Sequence, residues 1–351
     1  MDFQVFLLLA QDGITNGAIY ALVALGTVLI FAVTRIIFVP FGDIAAFAGL
    51  SLASIQLGRV PGTIWLVMTL VAIATSMEII ALWRRKSLRR LPRALAYYAV
   101  LPLLPVVVVV ALHGHRMPAP IEIVLAIALV LPIAPLMYRI VFLPIADAPV
   151  LVLLIVAVAA HFAVSGIALV FFGPEGFRTE PLTRAAFEIG GIVFTAQSLV
   201  IVAASVVYSL ILFVYFGRTV SGKALRATAI NRVGARLVGI RPSATGNLAF
   251  FLGSILAAVS GILVGPVATL YYDSGFIIGL KAFVGAIMGG LVSYPVSALG
   301  AVFIGLLESY ASFWNSALKE VVVFISLIPI LLLRLMIVGA ADDEEEQEEL
   351  A

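Results

Sequence analysis

Ala148–Phe172 reads APVLVLLIVAVAAHFAVSGIALVFF, twenty-five consecutive residues without an Asp, Glu, Lys or Arg. A bilayer crossing needs about 20 predominantly apolar residues in a helix. Ten further hydrophobic segments flank this one, at roughly 11–34, 41–57, 62–83, 95–112, 121–138, 195–216, 245–268, 273–292, 297–313 and 318–338. The whole chain has 351 residues, of which 63% are hydrophobic and 11% charged. Soluble domains carry about 25% charged residues, and no soluble core hides this much apolar surface. The fold class is therefore an all-α, polytopic membrane bundle of about eleven hydrophobic segments. The second and ninth segments are short for a crossing, so they are candidates for broken or re-entrant helices. Such backbone is tolerated at membrane depth only where protein or a water-filled cavity satisfies it.

Basic residues set the expected orientation. One basic loop holds Arg84, Arg85, Lys86, Arg89, Arg90 and Arg93, and another holds Arg218, Lys223, Arg226, Arg232, Arg236 and Arg241. With both loops in the cytoplasm, Arg35, Arg139 and Arg334 also fall inside, and only Arg59, Arg116, Arg178 and Arg184 fall outside. The positive-inside rule then predicts an external N-terminus and a cytoplasmic C-terminus. The first segment has no basic leader and no small-residue cleavage signal, so it reads as a retained helix. The longest external stretch, Phe172 to Ala196, reads as a short surface helix that meets an external partner. The acidic run in 339–351 reads as a disordered, solvated tail.

Several chemistries find no support. Cysteine is absent, and His113, His115 and His161 are too few and scattered for a metal centre, with His113 and His115 in a solvated hairpin. Gly217-Arg-Thr-Val-Ser-Gly222-Lys223-Ala224 nearly spells a phosphate-binding loop. Ala224 lacks the hydroxyl that holds magnesium, and a membrane helix stands where a strand is required. No ATP site, catalytic residue or cofactor is expected in this chain, and no nucleic acid as a partner. Gly13/Gly17, Gly261/Gly265 and Gly285/Gly289 place small residues one turn apart and read as helix-packing contacts.

The stretch Gly217 to Pro242 has six basic residues and no acidic one. It reads as a helix with Ser221 as N-cap and an apolar stripe at Leu225, Ala229, Val233 and Leu237, ended by Gly239 and Pro242. Its residues alone fit either a lipid-surface helix or a docking helix for a cytoplasmic protein.

The pattern Gly217-Arg218-Thr219, Gly222-Lys223-Ala224, Arg226-Ala227, Ala229, Asn231, Ala235, Leu237, Gly239-Ile240 resembles the cytoplasmic loop of the branched-chain amino acid type of ABC importer permease, the LivH-like family. Gly13-Ile14, Gly17, Tyr20-Ala21-Leu22, Ala24-Leu25-Gly26 resembles the family's first membrane helix. Lys281-Ala282-Phe283, Met288-Gly289-Gly290, Gly300-Ala301, Gly305 and Glu308 resemble its C-terminal half, and Lys319-Glu320-Val321-Val322 fits the start of its last helix. The likeness covers about residues 11–55 and 135–338.

The resemblance implies a permease domain over 1–338 with a coupling segment at 217–242. There Gly222, Arg226, Asn231, Ala235 and Gly239 would shape a helix that receives an ATPase. It implies cytoplasmic ATP-binding subunits, a second permease chain (identical or related), a periplasmic solute-binding protein and residence in a bacterial inner membrane. ATP would be used by the partners. The solute would be a branched-chain or other hydrophobic amino acid, moved by alternating access.

The chain departs from the family in three places. The turn after the first helix, Arg35 to Asp43, keeps Arg35, Gly42 and an acidic Asp43 but lacks the family's Asn and His. Residues 84–130 look inserted, adding a hydrophobic pair. The usual Arg-Pro-x-Gly ending is Arg334-Leu335-Met336-Ile337.

Charges inside hydrophobic segments are costly and point to function by default. Lys281 and Glu308 are the main cases, expected either to pair or to face a pathway. Asn16 and Tyr20 on the first helix are further candidates for a pathway. Gly42 belongs to the break Val39-Pro40-Phe41-Gly42, where a helix end would meet a substrate carboxylate. On that reading Gly42→Leu abolishes transport and spares membrane insertion. The rival reading, an ion-coupled secondary transporter, needs intramembrane carboxylates and repeat halves. Glu308 is the one deep carboxylate, and no repeat is evident.

Overall fold

The computed structural model describes residues 3–84, 86, 88–115, 117–189 and 192–332. The acidic tail, the Arg334 to Ile337 ending, Arg85 and Arg116 lie outside the described residues.

The chain alternates across one bundle. Its helices are α1 (Phe3–Thr34), α2 (Phe41–Gln56), α3 (Thr63–Arg84), α4 (Leu91–Ala111), α5 (Ala119–Ile145) and α6 (Val150–Phe172). A two-stranded hairpin, β1 (Ala186–Ile189) and β2 (Ile192–Thr195), precedes α7 (Ala196–Arg218). Then come α8 (Val220–Ile230), α9 (Arg232–Leu237), α10 (Pro242–Val264), α11 (Ser274–Met288), α12 (Tyr294–Trp314) and α13 (Lys319–Ile325). Helical backbone resumes over 327–332. Among the described residues, eight helices are long and apolar enough to cross a membrane, and α2 and α11 are shorter apolar helices. Each of the eleven expected segments contains helix among the described residues, and the all-α class holds.

Length and composition do not distinguish these helices, but burial does. The most apolar window of α1 is 89% buried, against 17% for α4 and 22% for α6 and α7. A helix apolar all round is either enclosed by protein or faces lipid; α1 is the first case and α4, α6 and α7 are the second. Three helices hydrogen-bond to the α1 backbone. Ser205 of α7 donates to the Ala18 carbonyl (2.7 Å), Ser260 of α10 to that of Ile19 (3.4 Å) and Ser309 of α12 to that of Leu9 (2.7 Å). Close packing completes the contact: a Cβ on Gly13 or Gly17 would run into the backbone of Leu306 or Val302, so α1 and α12 lie antiparallel with backbones touching. The small-residue pairs at Gly261 and Gly285 likewise face Ala45 and Ala301.

Both short helices start inside the bundle. The Phe41 ring lies over Gly26 of α1 and Gly253 of α10. Those glycines stand about 12 Å from the end of α1 at Thr34 and about 16 Å from the start of α10 at Pro242, at 1.5 Å per residue. Pro40 cannot continue a helix from α1, so residues 35–40 descend as non-helical backbone and α2 begins about half-way across. The first turn of α11 is packed against that of α2, with Gly275 on Asp43 and Gly279 on Gly42. This is the broken arrangement expected of the second and ninth segments.

The stretch Phe172 to Ala196 differs from the expectation of a surface helix. Gly173 has φ 77°, which ends α6, and Phe177 then pairs with Leu270 as an isolated antiparallel bridge. Ala186–Ile189 and Ile192–Thr195 form the hairpin, in register Ala186 opposite Thr195. Two short runs rich in β-branched and aromatic residues, separated in sequence by Gly190 and Gly191, favour strand pairing over helix.

Candidate functional site

A cleft of about 550 Å³ opens at the end of the bundle where α1 begins. Asp12, Thr15, Asn16 and Tyr20 of α1 line one wall, and Lys281 of α11 and Glu308 of α12 lie opposite. Lys319 and Glu320, at the start of α13, close its rim. At its floor Lys281 Nζ donates to Glu308 Oε1 at 2.6 Å and Tyr20 Oη donates to Glu308 Oε2 at 2.7 Å. Lys281 is also 3.9 Å from Glu320 and 5.9 Å from the centre of the Tyr20 ring. The three side chains are buried, so the pair is held in a low-dielectric setting where each charge depends on its partner. Lys281 and Glu308 thus pair, the first of the two expected behaviours, at the floor of the cleft.

Asn16 and Tyr20 thus share one site with Lys281 and Glu308, and Gly42 does not. Gly42 lies at the contact between α2 and α11, where a Cβ would collide with the Gly275 carbonyl. The first turn of α2 already carries a carboxylate of its own, Asp43. We therefore expect Gly42→Leu to part α2 from α11 and lower the yield and melting temperature of the folded chain. Size-exclusion chromatography and thermal melting in mild detergent check this; an intact, monodisperse Gly42→Leu protein lacking transport would restore the pathway role.

One buried pair escaped the sequence reading. Asp43 Oδ2 and His161 Nδ1 are 2.6 Å apart, both residues buried, and the His161 ring stacks on Phe276 of α11 at 4.6 Å. Asp43 Oδ1 has no hydrogen-bond partner among the described residues. The pair ties the broken α2 and α11 to α6. The available signal was the rule that an acid in an apolar segment must find a partner. His161, alone in Ala148–Phe172, was the matching cation or donor. Arg139 of α5 bonds Glu78 of α3 by the same logic.

The second candidate region is the α8–α9 pair, at the end of the bundle opposite the cleft mouth. Thr219, rather than Ser221, caps α8: its Oγ1 accepts from the Gly222 N–H at 2.9 Å. Asn231 breaks the helix and caps α9, its Oδ1 accepting from the Gly234 N–H at 2.8 Å. An Asn side chain competes for backbone donors in this way and so interrupts the four-residue stripe. Leu225 is consequently buried, whereas Val233 and Leu237 are exposed with Val220, Ile230 and Val238. Gly222 sits where a Cβ would strike the Tyr215 carbonyl, which allows α8 to fold tightly back from α7. Ala235 is buried, Arg226 is exposed, and Gly239 ends the pair with φ 85°.

These features define a multi-pass helical membrane protein with two helices broken inside the bundle, a charged cleft at one end and a capped helix pair at the other. The chain belongs to the family described as branched-chain amino acid transport system / permease component, which matches residues 9–333. It is 32% identical over 149 residues to the high-affinity branched-chain amino acid transport system permease protein BraD of Pseudomonas aeruginosa, covering 42% of this chain and 48% of that one. It is 31% identical over 162 residues to the LivH permease proteins of the corresponding systems in Salmonella typhimurium and Escherichia coli K12, covering 45% of this chain and 52% of each. The matched stretch thus spans about half the length of these curated relatives. No solved structure matches the chain.

Proposed function

We propose that this chain is the permease subunit of an ATP-binding cassette importer that moves branched-chain or other hydrophobic amino acids by alternating access across a bacterial inner membrane. The observation that carries the reading is the α8–α9 pair. Val220, Ile230, Val233, Leu237 and Val238 stand exposed on a polar, basic loop between two membrane helices. Exposed apolar side chains interspersed with basic ones, on a segment held by two side-chain caps, are what a cytoplasmic ATPase would cover. Arg226 supplies charge to that surface, and Gly222, Asn231, Ala235 and Gly239 set its shape.

The cleft is the pathway's entry in this reading. It faces the periplasm if α8–α9 faces the cytoplasm, as the basic loops favour. A periplasmic binding protein would deliver solute there, with the 172–196 stretch beside it. Asn16, Tyr20 and the Lys281–Glu308 pair would offer polar groups to a zwitterionic backbone, and the apolar walls would take an aliphatic side chain. A second permease chain completes the pathway. Both oxygens of Glu308 are already bonded, one of them to a fixed cation, which makes Glu308 a poor ion-coupling group.

The test is purification of the tagged chain from native membranes in mild detergent, with mass spectrometry of what accompanies it. Two ATP-binding subunits and a permease partner are expected. A chain recovered alone that moves solute in ATP-free vesicles overturns the proposal.

A further inference from the structure

An apolar groove of about 530 Å³ runs between α4, α5 and α10, far from the cleft. Its α4 wall and Ala128 of α5 belong to the 84–130 stretch. Leu101 and Pro105 of α4, Ala128 and Leu131 of α5, and Leu248 and Phe251 of α10 line its depth. Pro102, Pro105, Pro132 and Pro135 all face it, and prolines bend helices and hold neighbours apart, which keeps the groove open. At one end Asn247 Nδ2 donates to Tyr97 Oη at 2.7 Å, bridging α10 to α4.

That same end is cationic. Arg93 lies one turn before Tyr97 on α4, and Arg241 directly precedes α10, three residues before the lining Ala244. Both are exposed, and neither has an ion-pair partner among the described residues. Arg84, Lys86, Arg89 and Arg90 precede Arg93, and residues 84–112 and 217–246 contain no acidic residue. Arg139, over the Tyr98 ring, is already bonded to Glu78.

We propose that this groove binds one anionic phospholipid, with an acyl chain along Leu101, Ala128 and Phe251 and the phosphate between Arg93 and Arg241. Leu101 and Phe251 of its lining are exposed, and only 17% of the apolar window of α4 is buried, so the default neighbour in a bilayer is lipid. The two arginines at its polar end select a negative headgroup, as basic clusters at membrane interfaces do. The Tyr97–Asn247 bridge, one turn along α4 from Arg93, would meet an ester or glycerol oxygen of that lipid. The site ties the peripheral α4 to α10, which packs on the buried α1.

The experiment titrates the full chain in mild detergent with phosphatidylglycerol, phosphatidylcholine and inorganic phosphate, reading bound adducts by native mass spectrometry. One phosphatidylglycerol per chain is expected, with weak phosphatidylcholine binding and no effect of phosphate. The Arg93→Ala, Arg241→Ala double variant should bind phosphatidylglycerol about thirty-fold more weakly. Ala128→Trp, which fills the groove, should abolish the adduct while helical circular dichroism is retained; if it misfolds, Leu101→Trp serves the same purpose from the other wall. Equal retention of phosphatidylcholine, unchanged binding in the double-alanine variant, competition by free phosphate, or a tightly co-purifying protein that excludes lipid would each overturn the proposal.

Discussion

Glu308→Ala is expected to destabilise the chain by about 3–5 kcal/mol, a large part of a typical folding free energy. The carboxylate accepts from Lys281 through one oxygen and from Tyr20 through the other, and all three side chains are buried. Deleting it leaves an ammonium without its counter-charge and a hydroxyl without its acceptor. Glu320, at 3.9 Å and partly exposed, compensates only weakly. Thermal melting of the purified protein in mild detergent reads the effect. The Lys281→Met, Glu308→Leu double variant should recover much of the stability, because replacing a buried pair with apolar residues of similar volume is far less costly than breaking it. A Glu308→Ala protein as stable as the parent would show that the cleft is wet enough to solvate Lys281. If the double variant is stable yet fails to transport, the pair has a role in the pathway as well as in the fold.

The second large effect is expected at the α8–α9 surface. Ile230 and Leu237 are 85% and 84% exposed, so charging them should leave folding within about 0.5 kcal/mol of the parent. In an ATPase interface the same carboxylates would be desolvated among apolar neighbours. The Ile230→Glu, Leu237→Glu variant should therefore weaken ATPase retention by at least about thirty-fold, the size of a hot-spot loss. Pull-down of the ATP-binding subunits from membranes, with membrane insertion checked in parallel, reads this. Undiminished retention would remove α8–α9 from the interface and turn attention to lipid attraction of the basic loop.

Gly222 and Asn231 illustrate how far the coupling segment was legible. A helix-forming run with glycine at one end and a basic face was visible as such. That Asn231 would cap a second helix, rather than ride within one, depended on whether its side chain reached the Gly234 N–H, and spacing alone does not decide that. The stripe is therefore divided between two helices, with Leu225 buried on the first and Val233 and Leu237 exposed on the second. The Phe172 to Ala196 stretch was misread for a related reason. Its strands take their hydrogen bonds from each other, and a helix reading of mixed polar and apolar residues ignores the partner strand.

The sequence by itself determined that this is a membrane bundle, how many apolar segments it has, which loops are basic, and which two segments are too short to cross. These follow from one-dimensional quantities, apolar run length and charge placement, because the bilayer acts on every helix alike. Only the tertiary structure decided which helices are enclosed, that α1 is the axis, and that Asp43 finds His161 118 positions away. It also decided that Tyr20, Lys281 and Glu308 form one hydrogen-bonded group. Partner choice for a buried charge is a property of three-dimensional proximity: the desolvation cost that demands a partner is visible in the sequence, and the identity of that partner is fixed only when the helices pack.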